Sequence, residues 1–285
     1  KSTFSISKNK PPPNNKMEIQ YDIGHYKTIR VLGEGRYATV YEGISKNGEI
    51  IAMKVLNKNL INTTNPDFIK NELAVFKKIN EQKLKCKNIL SFINFYDEID
   101  NVFIILEYIN GYTLQRVIFE SFNTNKKIKA IDKKNYLIQI GNGLIYLHNL
   151  NIYHCDLKPE NILIYDDNGT ECVKILDFGC SHIALEGIAS AKQLKFSGTA
   201  GFFTPEVYND TSKNIKLKDL DTWAFTCLIY YCFVGKQPFV SKTFYLTVKN
   251  TQDINISYEN TCKNIQKICK KVFIHENRAH LNELL

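Results

Sequence analysis

The chain has 285 residues, 44% of them hydrophobic and 23% charged, which is the make-up of a globular protein able to bury one large core or two smaller ones. Its formal charge of +8 comes from 33 Lys and only 4 Arg. A nucleic-acid reader favours Arg, whose planar fork matches phosphates and guanine, so no nucleic-acid site is expected, only a weak attraction for acidic partners. No apolar run approaches the ~18 residues of a membrane span, so no membrane segment is expected in this chain, and its opening on Lys1 leaves open what precedes it.

Residues 1–20 are rich in Lys, Ser, Asn and Pro, include Pro11-Pro12-Pro13 and lack apolar periodicity; they are expected to form a disordered basic leader before a folded domain over 21–285. Strands are predicted over 26–32, 37–44 and 49–55, divided by turns at Gly33–Gly35 and Asn47-Gly48. Phe68, Leu73, Phe76 and Ile79 fall near one face of a helix predicted over 67–80. Strands around 90–96 and over 101–107 complete a small antiparallel β lobe with one helix, residues 21–110. Beyond Gly111 helices prevail, over 113–122, 132–150, 218–234 and 261–271, with short strands at 161–165 and 172–176 around the turn Asp167-Asn168-Gly169. The fold class expected is α+β, a small β lobe followed by a larger, mainly helical lobe over 111–285. The eight cysteines, Cys86, Cys155, Cys172, Cys180, Cys227, Cys232, Cys262 and Cys269, contain no C-x-x-C pair. Neither zinc nor disulfides are expected, which suits a reducing compartment, cytoplasmic or nuclear.

Chemistry is concentrated in four places. Gly33 and Gly35 lie between two predicted strands, where the lack of a Cβ lets backbone N–H groups approach phosphate oxygens; a plain hairpin turn would read the same. Lys54 sits in the apolar run Ile51–Lys54, where an ammonium needs an anion unless the strand is an exposed edge, and Glu72 on the following helix offers a partner. Asp156, Lys158 and Asn161 share one loop after a long helix: a carboxylate to take a hydroxyl proton, a cation for a moving phosphoryl group and an amide oxygen for a hard cation. Asp177-Phe178-Gly179 follows Asp156 by 21 residues and adds a second hard oxygen ligand.

These strings together resemble the eukaryotic protein kinases, serine/threonine type, from about Tyr26 to the C-terminus. The resemblance implies a bilobal fold, with ATP and Mg²⁺ (or Mn²⁺ as a substitute) as cofactors and proteins with Ser or Thr acceptors as substrates of a monomeric domain. By position it gives Asp156, Lys158, Lys54, Glu72 and Thr199 catalytic roles, and Asn161 and Asp177 the metal. It assigns the nucleotide to Leu32, Gly33, Gly35, Val40, Ala52, Lys54, Leu106, Glu107, Ile109, Thr113 and Leu163. Phe76, Phe92, His154 and Phe178 fall where the family stacks a regulatory column; plain core residues would serve equally. Gly198-Thr199 and Thr204-Pro205-Glu206 resemble the end of the activation segment, Asp221 and Trp223 the start of the helix that anchors the catalytic loop, and Arg278 the partner of Glu206 in a buried pair, implying that the kinase domain is complete.

Several positions depart from the family pattern. Cys155 stands where most members have the arginine that pairs with a phosphorylated activation segment, and Lys195 stands at the matching phosphosite. Activity without activation-segment phosphorylation is therefore expected; a catalytically dead scaffold is the alternative. Glu160 could attract an arginine of the substrate, but Tyr231 replaces the second acid of strongly basophilic relatives, so at most a mild basic preference is expected. Thr226 replaces a usual glycine.

Overall fold

The computed structural model describes residues 20–35, 37–64, 67–194, 198–209, 213–259, 261–274 and 278–285. The expected leader, except Gln20, and Lys195 lie outside the described residues. The chain forms two compact units. One holds the described residues up to Ile69 together with Leu90–Asn110 and Asp166–Thr170; the other holds Lys70–Ile89, Gly111–Tyr165 and Glu171–Leu285.

The first unit is built on a six-stranded antiparallel sheet: β1 (Asp22–Ile23), β2 (Tyr26–Glu34), β3 (Ala38–Ser45), β4 (Ile50–Asn57), β5 (Phe92–Asp97) and β6 (Asn101–Glu107), in the order β1-β2-β3-β4-β6-β5. Side chains alternate between sheet faces. On one face Tyr41, Ile51, Met53, Val55, Phe103 and Ile105 form a core, closed by Tyr21, Tyr26 and Tyr96. The register puts Val40, Lys54 and Ile104 in one row, and Glu42, Ala52 and Leu106 in the next, on the other face. After β4 comes a short helix, α1 (Lys58–Thr64), whose start is capped by Asn57 Oδ1 accepting from Leu60 N at 3.0 Å. The boundary between the units falls early in helix α2 (Phe68–Asn80).

The second unit begins its chain order with β7 (Gly111–Thr113), α3 (Leu114–Asn123), α4 (Ala130–Asn149), β8 (Ile152–Tyr153), β9 (Ile162–Asp167) and β10 (Thr170–Ile175). β9 pairs with both β7 and β10. The β9–β10 turn uses Asn168 at φ 53° and Gly169 at φ 86°, left-handed positions that Asn and Gly fill at least cost. Then follow β11 (His182–Ile183), β12 (Ile188–Ser190), α5 (Ala191–Leu194), α6 (Pro205–Asn209), β13 (Asn214–Lys216), α7 (Leu217–Val234), α8 (Phe244–Gln252) and α9 (Lys263–Phe273). α7 is buried over most of its 18 residues, as a helix apolar all round should be. Trp223 on α7 stacks on Phe239 at 5.3 Å and meets Phe273 of α9 edge-on at 4.6 Å. Thr226 is buried and donates to Thr222 O at 2.9 Å, so its hydroxyl is satisfied one turn back in the same helix.

Candidate active site

The helical unit gathers the loop residues into one hydrogen-bonded group. Lys158 Nζ donates to Asp156 Oδ2 and to Thr199 Oγ1, each at 2.8 Å. Asn161 Nδ2 donates to Asp156 O at 2.9 Å. With its nitrogen so committed, the amide keeps its oxygen, the atom a hard cation takes, for another partner. Asp156 is 6% exposed, and its Oδ1 is buried without a hydrogen-bond partner among the described residues. Burial disfavours the Lys158 ammonium, but Asp156 first, then Asp177 and Glu160, outweigh it and raise its pKa. Lys158 is thus a fixed cation rather than a titrating group.

The loop hangs from a carboxylate in the core. Asp221 of α7 is fully buried and accepts from His154 N and Cys155 N at 2.9 Å and from His148 Nε2 at 2.8 Å. Burial alone would raise its pKa; the bond and charge of His148 hold it below its ordinary value. Those bonds fix the backbone two residues before Asp156, where Cys155 takes φ 61°, a left-handed conformation rare for a residue with a Cβ. Asp177 shares that feature, also at φ 61°, and its Oδ1 accepts weakly from Gly179 N at 3.4 Å. Phe178 meets Phe76 at 5.4 Å and His154 at 5.5 Å. Leu176 N bonds Asn161 O at 2.9 Å, joining the Asp177 segment to the loop. His148 was not singled out by the sequence; its place at the end of the long helix before the loop was the available signal. Asn88, also missed, is buried and donates to Val173 O at 2.9 Å and Gln139 Oε1 at 3.2 Å, tying α4 to β10.

Of the residues assigned to the nucleotide, Leu163 and Thr113 are register partners on β9 and β7. Thr113 Oγ1 is already used as the N-cap of α3, accepting from Arg116 N at 3.3 Å. Val40, Ala52, Lys54 and Leu106 share one face of the sheet unit. Lys54 is 7% exposed, so the exposed-edge reading fails, and its ammonium lies 5.5 Å from the centroid of the Phe68 ring. Gly35 N bonds Ala38 O at 2.8 Å to close the turn. A Cβ at Gly33 would meet nothing within 4 Å and one at Gly35 only Ala38 O at 3.5 Å, and neither takes a positive φ. Internal packing therefore does not require glycine at either place, which fits a cradle for something from outside the chain. Leu32 is 40% exposed at the same strand end. Glu107 accepts from Ser91 N at 2.6 Å, and Ile109 is half-buried beyond it. Glu72 is buried on α2 and falls in the helical unit, Lys54 in the sheet unit. Among the described residues no group of three or more His, Cys, Asp or Glu could hold a metal. Asn161 and Asp177 still fit Mg²⁺, which keeps waters and phosphate oxygens and asks only one or two ligands of the protein.

The end of the activation segment needs one correction. Arg278 Nη2 bonds Glu206 Oε1 at 2.6 Å as expected, but the Glu206 side chain is 40% exposed against 14% for Arg278, so the pair is half-buried rather than buried. Glu206 sits at the first turn of α6, near the surface.

The family model for the protein kinase domain matches residues 26–281. Similar proteins include calcium/calmodulin-dependent protein kinase type I of Schizosaccharomyces pombe, 31% identical over 215 residues that cover 75% of this chain and 61% of that one. Serine/threonine-protein kinase cds1 of the same yeast is 30% identical over 242 residues, 81% of this chain and 49% of cds1. Aurora kinase of Candida glabrata is 28% identical over 274 residues, 94% of this chain and 70% of the relative. The chain belongs to the protein kinase family and is of the serine/threonine type. It spans less than two thirds of the length of the first two of these relatives.

Proposed function

We propose that the chain transfers the γ-phosphoryl group of ATP to Ser or Thr hydroxyls of proteins. The observation that carries this reading is the state of Asp156: one oxygen is held by Lys158, the other is buried and free to accept a hydroxyl proton. In that reaction a bond forms from the substrate oxygen to the γ-phosphorus as the bond to the ADP oxygen breaks, and the hydroxyl proton passes to Asp156. Lys158, kept cationic by its neighbours, stabilises the moving phosphoryl group, and Thr199 fixes the Lys158 ammonium. Mg²⁺, held by Asn161 and Asp177, would neutralise charge on the phosphates. Gly33, Gly35 and Lys54 are assigned to the phosphates and Val40, Ala52, Leu106 and Leu163 to the adenine, with Glu107 and Ile109 at its edge. The role of Glu72 as counter-ion of Lys54 rests on the family resemblance alone.

The transfer is further proposed to need no activation-segment phosphate. Cys155, 3% exposed, lies in an apolar cluster with Tyr153, Ala189, Ala191, Leu194 and Phe203. β12 pairs with β13 over Ile188–Ser190, and Ala191 N bonds Lys213 O at 3.0 Å. The described part of the segment is thus tied down by apolar packing and backbone bonds, in place of the arginine and phosphate that the family pattern leads one to expect. A reducing compartment, cytoplasmic or nuclear, is proposed on the sequence alone, whose eight cysteines contain no C-x-x-C pair.

The test is transfer of labelled phosphate from Mg-ATP to a generic Ser/Thr peptide by phosphatase-treated protein beside its Asp177→Asn variant. Transfer by the wild type alone is expected. Transfer by neither, with nucleotide binding retained, would favour the scaffold reading instead.

A further inference from the structure

An open groove of about 910 Å³ in the helical unit has Arg116, Phe119, Glu160, Thr199, Lys236 and Val240 in its lining. Its apolar wall does not stop at Val240. Ser241 N bonds Thr247 Oγ1 at 2.9 Å, which holds Val240 and Ser241 against the second turn of α8. A Cβ built at Gly201, just after Thr199, would lie 2.7 Å from Val240 Cγ2 and 3.2 Å from Thr247 Cγ2, so the backbone of the Gly198–Glu206 segment rests on the same face.

Beyond this contact α8 turns its largest side chains to water. Phe244 is 69% exposed, Tyr245 71%, Leu246 42% and Val240 47%. The helix is anchored from below by Thr247 and Thr251, both buried, so the aromatic turn is not what holds it in place. Four neighbouring large apolar residues left in water at one helix start cost solubility and mark a contact site. Along the stretch itself the charge has one sign. From Gly235 to Gln252 the chain carries Lys236, Lys242 and Lys249 and not a single Asp or Glu; the first carboxylate is Asp253, past the helix. All three lysines are exposed. Glu160, inside the groove, bonds Gln115 Nε2 at 2.6 Å and keeps its other oxygen buried without a partner among the described residues.

From this juxtaposition we infer that Val240 and the α8 turn Phe244–Leu246 form a docking surface for a protein substrate, and that the docking segment is acidic and bears aromatic or leucine side chains. The inference rests on the proposed phosphoryl transfer only for the word substrate. The continuity of the patch with the groove past Thr199 selects a protein that also presents its hydroxyl there. Aromatic anchors would enter the Phe244–Tyr245 turn, and carboxylates would meet Lys242 and Lys249. The acceptor end and the docking end then ask for different chemistry: a donor for Glu160 near the hydroxyl, acids at α8.

Binding can be measured without turnover. A fluorescent peptide in which Glu and Asp alternate with Phe and Leu is titrated with the full chain and read by anisotropy. The wild type is expected to bind it, and to bind poorly the same peptide with Lys at the acidic positions. Tyr245→Ala and the pair Lys242→Glu/Lys249→Glu should each weaken binding about tenfold, the size of a modest interface anchor. Their melting temperatures should stay at the wild-type value, because all three side chains are exposed. Raising salt should weaken binding by the wild type and by Tyr245→Ala in the same proportion, and should have less effect on the residual binding of the Lys242→Glu/Lys249→Glu pair. A Ser peptide carrying the acidic-aromatic extension should show a lower KM than one without it. Equal binding by wild type and variants would overturn the docking surface. So would retention of the chain on phosphatidylserine vesicles but not by the peptide, or a concentration-dependent dimer abolished by Tyr245→Ala in place of peptide binding. Peptide binding with no transfer to either Ser peptide would count against the kinase reading and leave the surface standing as a site for an acidic partner.

Discussion

Asp221 concentrates more of the site's geometry than any residue that would touch substrate. Three donors converge on a carboxylate with no exposed surface, and two of them are the backbone N–H groups that set the loop before Asp156. Asp221→Asn places an NH₂ group against those donors and leaves buried N–H groups without an acceptor. The expected loss is about 3 kcal/mol in urea unfolding, the range for breaking a buried, charge-assisted network. Transfer should fall with it, since two of the three bonds hold the backbone that takes φ 61° at Cys155. The pH dependence separates this from a packing effect. The folded pKa of Asp221 is lowered from 3.8, so its contribution is complete above that value and fades as pH falls below it through the folded pKa. The gap between wild type and variant should narrow once the pH falls below about the unfolded value. A loss under about 1 kcal/mol, or a gap that does not narrow there, would show that the three bonds do not carry the loop.

At the scale of elements, the cluster around Cys155 makes an unusual forecast about restoring the family's common residue. Cys155→Arg would push a guanidinium among Tyr153, Ala189, Leu194 and Phe203, where no carboxylate of the cluster can receive it. Asp221 is near, but it is already shared among three donors. The variant should lose about 3 kcal/mol or more, the cost of an unpaired charge in an apolar site, and should transfer phosphate more slowly, with no rescue by an activating kinase. A variant as stable as wild type that gained activity on phosphorylation would mean the cluster reopens easily. The thiol itself is inert: burial first, then Asp221, pushes its pKa well up.

The same scale shows what the sequence could and could not disclose. β2, β3, β4 and β6 were legible because alternating and doubly buried apolar runs end at Gly turns, and α4 and α7 because their length leaves no other reading. The loop residues Asp156, Lys158 and Asn161 were legible because a short string carries its own spacing. Of the strands of two or three residues, β8, β11, β12 and β13 have no local signal; they exist because distant segments pair, as Ile188 does with Lys216. α8 was missed because Phe244, Tyr245, Thr247, Val248 and Thr251 favour strands, although Thr243 was there as an N-cap, accepting from Leu246 N at 3.2 Å. The exposure of Glu206 was hidden for a related reason: a motif states partners, not depth.

For the whole molecule, two compact units mean that a single unfolding temperature need not describe the chain. The only tryptophan, Trp223, lies in the helical unit, fully buried against Phe239 and Phe273, so its fluorescence follows that unit alone. Arg278 sits over its ring at 5.2 Å while bonding Glu206 Oε1 at 2.6 Å and Val272 O at 3.1 Å, which joins the activation-segment end, the central helix and α9 through one side chain. Because Glu206 is 40% exposed, water screens the pair, and Arg278→Ala should cost about 1–2 kcal/mol rather than the larger loss of a buried pair. Burial would raise the Glu206 pKa, but the Arg278 bond and charge lower it below 4.5. The charge-dependent share is therefore present above 4.5 and lost as pH falls through the lowered value. Arg278→Lys keeps the charge but not the fork, and should recover part of the loss. Tryptophan-monitored urea curves of the three proteins at pH 7 and pH 3 would check this. Arg278→Ala should shift the midpoint at pH 7 by more than at pH 3. An equal shift at both values would assign the whole effect to packing and remove the ion pair from the account.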